Sequence, residues 1–156
     1  MGKNEKAIGV VRVVIDTNIA FSAILNTNSK ISKIILQPKS KLNLYSSNQL
    51  KYELAAHRTK LKKISNYSEI ELQRATLLIF SKIRFINAEL IPVTLFTKAE
   101  KLTLNVDIDD TEFVALTEHI RGKLWTGDKE LAKGLRSRKW NKLISTDELI
   151  ESILKR

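Results

Sequence analysis

The chain has 156 residues, 43% of them hydrophobic, no cysteine, and a formal net charge of +10 from 27 basic and 17 acidic side chains. That length and apolar content suit one globular domain with a real core, and the lack of cysteine excludes disulfides, thiolate catalysis and zinc-thiolate sites. A positive excess of this size favours polyanionic partners, nucleic acid being the commonest, while no helix shows the aromatic and basic division of a membrane-surface segment.

Residues 1–9 are polar and basic, and are expected to form a flexible tail ahead of a single domain over residues 10–156. They hold no apolar core of the signal-peptide kind, and no window reaches the roughly 18 apolar residues that span a bilayer. A reducing cytoplasm is the expected compartment. Val10 to Ile15 then gives five β-branched apolar residues interrupted only by Arg12. Such a run fits a strand buried on both faces inside a parallel sheet. It ends at Asp16-Thr17-Asn18, and Ile19, Ala20, Phe21, Ala23, Ile24 and Leu25 continue as a helix. Ligands in open α/β sheets sit beyond the carboxyl ends of strands, so Asp16 stands where this class of fold does chemistry. Asp16 or Asn18 also suits a plain helix cap, and for this stretch taken alone capping is the simpler reading.

Asn26-Thr27-Asn28-Ser29 makes a turn with a cap, and Ile31, Ile34 and Ile35 follow at helical spacing until Pro38 stops them. Leu42 to Tyr45 alternates as a second strand. Residues 47–63 read as one helix entered through Ser47 or Asn48, with Leu50, Leu54 and Leu61 within about 40° of each other. Glu53 lies roughly 60° off that stripe, at the edge of the core. His57 falls four residues on, so the two are expected to pair, and His57 is given no catalytic role. Ser68 to Lys82 is a further helix, with Ile70, Leu72, Leu77, Leu78 and Phe80 supplying apolar contacts. Ile83 to Ile86 is a third strand, Ile91-Pro92 a break, and Val93 to Leu104 a helix carrying Ala99 and Leu102.

Asp107-Ile108-Asp109-Asp110-Thr111-Glu112 concentrates four of the 17 carboxylates ahead of a helix bearing Phe113, Leu116 and Ile120. Asp109 with Glu112 fits a capping box, which leaves Asp110 without a local task. Crowded aspartates repel one another unless a cation sits among them. Gly122 to Asp128 repeats the logic of the opening stretch: a short strand ends in Thr126-Gly127-Asp128 before a helix over residues 129–136. Lys142 to Ile144 is the last strand, and Thr146-Asp147-Glu148 caps the closing helix. Strands and helices alternating in this way predict a mainly parallel sheet covered on both faces.

Asp16, Glu53, Asp110 and Asp128 can therefore converge on one edge of the sheet. Four carboxylates without thiolates or paired histidines select hard cations, magnesium or manganese, which act most strongly on phosphodiesters. The basic excess would gather a nucleic-acid backbone around that acidic centre. Thr17, Asn18 and Thr126 are suited to orienting carboxylates, water or a phosphate oxygen.

The strand into Asp16-Thr17-Asn18, the helical Glu53, Asp109-Asp110 before Phe113-Val114-Ala115-Leu116, and Thr126-Gly127-Asp128 resemble, in that order, the PIN-domain nucleases over residues 10–145. The resemblance implies a three-layer α/β/α sandwich around a mainly parallel sheet of about five strands. It also implies a magnesium- or manganese-dependent ribonuclease that cuts single-stranded RNA. Asp16, Glu53, Asp110 and Asp128 match the family's acidic quartet, and Asn18 and Thr126 its accessory polar positions. Asp109 is the alternative to Asp110 as ligand. Many small members of this size are VapC-type toxins, so a cognate antitoxin and a homodimer are implied, with a freestanding RNA-processing nuclease as an alternative.

Two other readings compete. Asp107 to Thr111 also fits the Asp-x-Asp-x-Thr pattern of haloacid-dehalogenase phosphatases, but no buried first strand precedes it. A response-regulator-like phosphoacceptor domain leaves Glu53 idle and lacks the acidic pair after the first strand. A catalytically inactive RNA- or protein-binding module with the same fold remains the main rival. Among the basic residues near Asp128, some of Lys129, Lys133, Arg136, Arg138, Lys139 and Lys142 are expected to line the RNA path. Trp140 serves either as a stacking surface or as core.

Overall fold

The computed structural model describes residues 11–38 and 41–154, so the expected tail over 1–9 and the strand's first residue, Val10, lie outside the described residues. Strand β1 (Val11–Ile15) is the centre of a five-stranded sheet, with β2 (Leu42–Ser47), β3 (Ile83–Ile86), β4 (Lys123–Trp125) and β5 (Leu143–Ile144). The order is β3-β2-β1-β4-β5, and every pairing is parallel. Side chains alternate between faces along a strand, yet Val13, Val14 and Ile15 are all 0% exposed, so helices cover both faces of β1.

Parallel neighbours need crossovers, and the helices supply them. Among the described residues these are α1 (Thr17–Leu25), α2 (Lys30–Ile35), α3 (Asn48–Ala56), α4 (Arg58–Ser65), α5 (Glu69–Phe80), α6 (Val93–Thr103), α7 (Thr111–Ile120), α8 (Lys129–Ser137) and α9 (Thr146–Leu154). The chain leaves β1 toward β2 and β3 on one side, then returns to β4 and β5 on the other. The order reverses between β1 and β4, which opens a crevice at their carboxyl ends. Gly122 lets the chain enter β4 tight against β1, since a Cβ there would stand 2.6 Å from the Arg12 carbonyl oxygen.

The three-layer α/β sandwich expected from the alternation is the fold observed, with local differences. The helix expected over residues 47–63 is broken at His57 (φ −103°, ψ 15°), which ends α3 and begins α4. Leu50, Leu54 and Leu61 are nevertheless all buried, because α3 and α4 both pack on α1. On α5 the capping box of Ser68 with Glu71 marks the start, and Leu72, Ala75 and Ile79 form the buried stripe. Ile70, Leu77 and Leu78, expected to supply core contacts, face solvent instead, since α5 offers the core only the Leu72 side. The closing helix is capped one residue earlier than expected: Ser145 and Glu148 exchange backbone-to-side-chain bonds at 2.9 and 3.1 Å.

Candidate active site

Asp16 follows β1 directly and is 3% exposed. Its Oδ1 accepts the Ile19 amide at 2.9 Å and so caps α1. Ile15 pairs with Trp125 across the switch point, which sets Asp16 beside Thr126, and the Thr126 hydroxyl is bonded to its carboxyl. Capping and a place in the crevice are thus the same geometry. Burial pushes the Asp16 pKa up to about 6, and the Asp128 and Glu53 charges push the same way, with the Ile19 and Thr126 bonds only partly offsetting them.

Glu53 reaches the crevice from α3. Its Oε1 accepts the Thr17 hydroxyl, and its Oε2 accepts the Gln49 side-chain amide at 3.2 Å. The pairing expected with His57 is not formed, because the chain breaks at His57 and Glu53 is committed to Thr17 and Gln49. Gln49 also donates to the Asp109 carbonyl at 2.6 Å, tying α3 to the acidic loop. Sequence reasoning missed this residue, since a glutamine one turn before a glutamate carries no signal of its own.

The acidic loop winds differently from the expected capping box. Ile108–Asp110 form a single 3-10 turn capped by Asp107, whose Oδ1 accepts the Asp109 amide at 3.0 Å. Asp110 takes the cap position of α7, where its side chain makes no capping bond. The doubled aspartate therefore divides: Asp109 is exposed, and Asp110 is partly buried against its acidic neighbours. Burial pushes the Asp110 pKa up to about 8, reinforced by the charge of Asp107, then Asp16, a hydrogen bond with Asp107, and Asp128. Asp107 is thus a fifth carboxylate of the site. In the sequence it is marked only by its place in the acidic run and in the rejected Asp-x-Asp-x-Thr pattern.

Asp128 follows β4 and caps α8, accepting the Glu130 and Leu131 amides at 3.0 and 3.1 Å. The Asp128 amide in turn donates to the Thr126 hydroxyl at 3.0 Å. Asp16, Thr17, Asn18, Glu53, His57, Lys60, Asp107, Asp109 and Asp110 line a cleft of about 280 Å³. Asp128 lies at the end of a neighbouring cleft and reaches Asp16 and Asp110 through its charge. The predicted quartet is thus brought to one edge of the sheet. Among the described residues, however, no three acid or histidine side chains form a ready-made group that would hold a metal ion.

The basic residues near Asp128 divide too. Lys129, Lys133 and Arg136 line the neighbouring cleft. Arg138 donates from Nη1 to the carbonyls of Lys101 and Leu102 at 3.1 and 2.9 Å, closing the end of α6. Lys139 is exposed in a left-handed conformation (φ 65°) and Lys142 pairs with Glu118 at 3.0 Å. Trp140 is 4% exposed and donates from Nε1 to Glu118 at 2.7 Å, so it belongs to the core and offers no stacking face.

A parallel α/β/α sandwich with carboxylates gathered at its switch point is the class of protein that these elements define. Residues 14–148 match the family model of the PIN domain, and the chain belongs to that family. No curated protein matches it in sequence. Solved structures share the fold at low identity. PAE2754 from Pyrobaculum aerophilum matches with a TM-score of 0.65 at 14% identity, over 94% of this chain and 99% of that one. A chain of VapBC2 from Rickettsia felis, bound to a DNA fragment from their promoter, matches with a TM-score of 0.62 at 16% identity, over 86% and 97%. A toxin–antitoxin complex from Klebsiella pneumoniae gives a TM-score of 0.57 at 17% identity, over 86% and 97%.

Proposed function

We propose that this PIN-domain chain is a divalent-metal-dependent endoribonuclease acting on single-stranded RNA, and the toxin of a type II toxin–antitoxin pair. The observation that carries the reading is the crowding of Asp16, Glu53, Asp110 and Asp128 at the switch point, with two of them held well above the ordinary carboxylate pKa. Repelling carboxylates with oxygen as their only donor atom match a hard cation, which is how the residues present fit magnesium or manganese. Asp16, Glu53, Asp110 and Asp128 would hold the ion. When bound, such an ion neutralises a phosphodiester and lowers the pKa of a water molecule.

The chain's own groups do the positioning. Thr17 holds Glu53, and Thr126 bridges the strand ends by bonding both the Asp16 side chain and the Asp128 amide. Asn18 on the cleft wall has amide hydrogens suited to a phosphate oxygen. Asp107 shares a hydrogen bond with Asp110, which helps to raise the Asp110 pKa and fixes its carboxyl beside the cleft.

The Klebsiella pneumoniae chain that shares the fold belongs to a structure described as a toxin–antitoxin complex, and the Rickettsia felis chain to VapBC2 bound to a DNA fragment from their promoter. The former supports a cognate antitoxin as partner; a homodimer and a cytoplasmic site of action are further parts of the proposal. No helix among the described residues is long and apolar enough to cross a membrane. A non-catalytic binding module is the second reading, favoured because no ready-made ligand group is found among the described residues. The test is cleavage of a mixed single-stranded RNA pool with magnesium, with manganese and with chelator, for wild type and Asp16→Asn. Metal-dependent cutting lost in the variant is expected. Cutting that survives chelation removes the metal, and no cutting under any condition favours the binding module.

A further inference from the structure

A second cleft of about 320 Å³ lies between α8 and the β5–α9 connection and is lined at one end by Thr126, which is bonded to Asp16 of the acidic cleft, and by Asp128, whose charge acts on Asp16 and Asp110. Its floor is apolar, made by Ala132, Leu143 and Ile144, and its wall carries Lys129, Lys133 and Arg136. These three are spaced i, i+4 and i+7, so α8 presents them on one face while Leu131 and Leu135 bury the other. None of the three makes an ion pair among the described residues, whereas Lys98, Lys142, Arg58 and Lys62 all do. Asp147 on the far wall is met by Lys30 at 3.6 Å. Three unpaired cations over an apolar floor complement a group with anionic and flat apolar parts. That is the description of a nucleotide, and the volume lies in the range of small-ligand sites, which begins near 300 Å³.

We propose that this cleft is a nucleotide subsite. It seats the nucleotide on the Asp128 side of the bond that is cut, with phosphates on Lys129, Lys133 and Arg136 and the base against Leu143 and Ile144. The identity of the ligand rests on the nuclease reading; the charge and shape of the cleft do not.

The experiment measures binding of a labelled single-stranded RNA ten nucleotides long to the full chain carrying Asp16→Asn, at several salt concentrations. Adding Lys133→Glu or Arg136→Glu is expected to weaken binding about tenfold and to lower the salt slope by roughly one, as for a lost phosphate contact. Arg74→Glu makes the same charge change on exposed α5 and is expected to leave binding unchanged. Methyl resonances of Leu143 and Ile144 are expected to shift when the RNA is added. Equal weakening by all three charge changes would show a diffuse field, and no weakening would show an unused cleft; either overturns the subsite. Unmoved methyls overturn the base seat. Displacement of the RNA by an acidic peptide of equal charge and at equal concentration overturns the nucleotide assignment. A wild type that cuts no RNA while this binding pattern holds would count against the nuclease reading alone.

Discussion

Two places in this molecule hold buried carboxylates, and they behave in opposite ways. At the switch point Asp16 is pushed up to about 6 by burial and then by Asp128 and Glu53, and Asp110 to about 8 by burial and then by Asp107, Asp16 and Asp128. At the other end of α7, burial would also raise Glu118. Hydrogen bonds from Trp140, Lys98 and Lys142 outweigh it and bring the group down to about 2. Lys98 and Lys142 each stand 3.0 Å from its carboxylate oxygens. A buried acid supplied with its own cations is part of the scaffold. A cluster of partly buried acids without ion pairs among the described residues is what the proposed cation site would draw on.

The largest effect expected from this contrast is on activity. Asp16→Asn should lower metal-dependent RNA cleavage by about a hundredfold or more, through loss of charge where a cation would be held. Asparagine still caps helices, so the variant should fold, and in chelator at pH 8 it should melt at a higher temperature than wild type. A variant that lost activity and stability together would erase the contrast. Glu118→Gln should do the reverse, costing about 1–2 kcal/mol in urea unfolding through loss of the ion pairs with Lys98 and Lys142, which are half exposed and rehydrate, with cleavage per folded molecule unchanged.

The pH dependence sharpens the same comparison. Asp16 has its folded pKa raised, so its contribution is fully present below the unfolded value of 3.8 and is lost as pH rises through about 6. In chelator that is a loss on the order of 3 kcal/mol between roughly pH 4 and 7, and Asp110 extends it toward about pH 8. Glu118 has its folded pKa lowered, so its contribution is present above the unfolded value of 4.5 and is lost as pH falls through about 2. Urea midpoints across pH for wild type, Asp16→Asn and Glu118→Gln separate the two: the first variant should flatten the alkaline limb and the second the acid limb. The smallest effect concerns Ser47, whose hydroxyl is buried at the end of β2 without a hydrogen-bond partner among the described residues. Ser47→Ala should leave cleavage alone and raise stability by about 0.5–1 kcal/mol, since nothing is lost when an unsatisfied group is removed. A clear destabilisation would mean that this hydroxyl has a partner.

Much of the site was legible because its parts are local. Asp16 and Asp128 each end a short apolar strand and cap the next helix, and the linear order shows both. Asp109-Asp110 stood out by crowding. Other features were not legible, because they depend on which surfaces meet. Asp110 and not Asp109 turns toward Asp16 because Asp107 caps a 3-10 turn and delays α7 by one residue. Gln49 matters through a loop sixty positions away. Ile70, Leu77 and Leu78 carry the same hydrophobic signal as Leu72, yet α5 shows them to solvent. Trp140 had two readings of equal standing until Glu118 supplied its partner.

The sequence by itself determined the alternation of strands and helices, the single core and the positions of acids at strand ends. Each follows from side-chain periodicity and capping chemistry within a few neighbouring residues. Tertiary structure alone decided the strand order, the break at His57, the allegiance of each carboxylate and the cations that each carboxylate lacks or has. Those depend on through-space distances between residues far apart in the chain and on the exclusion of water around them, which set both burial and electrostatic energy.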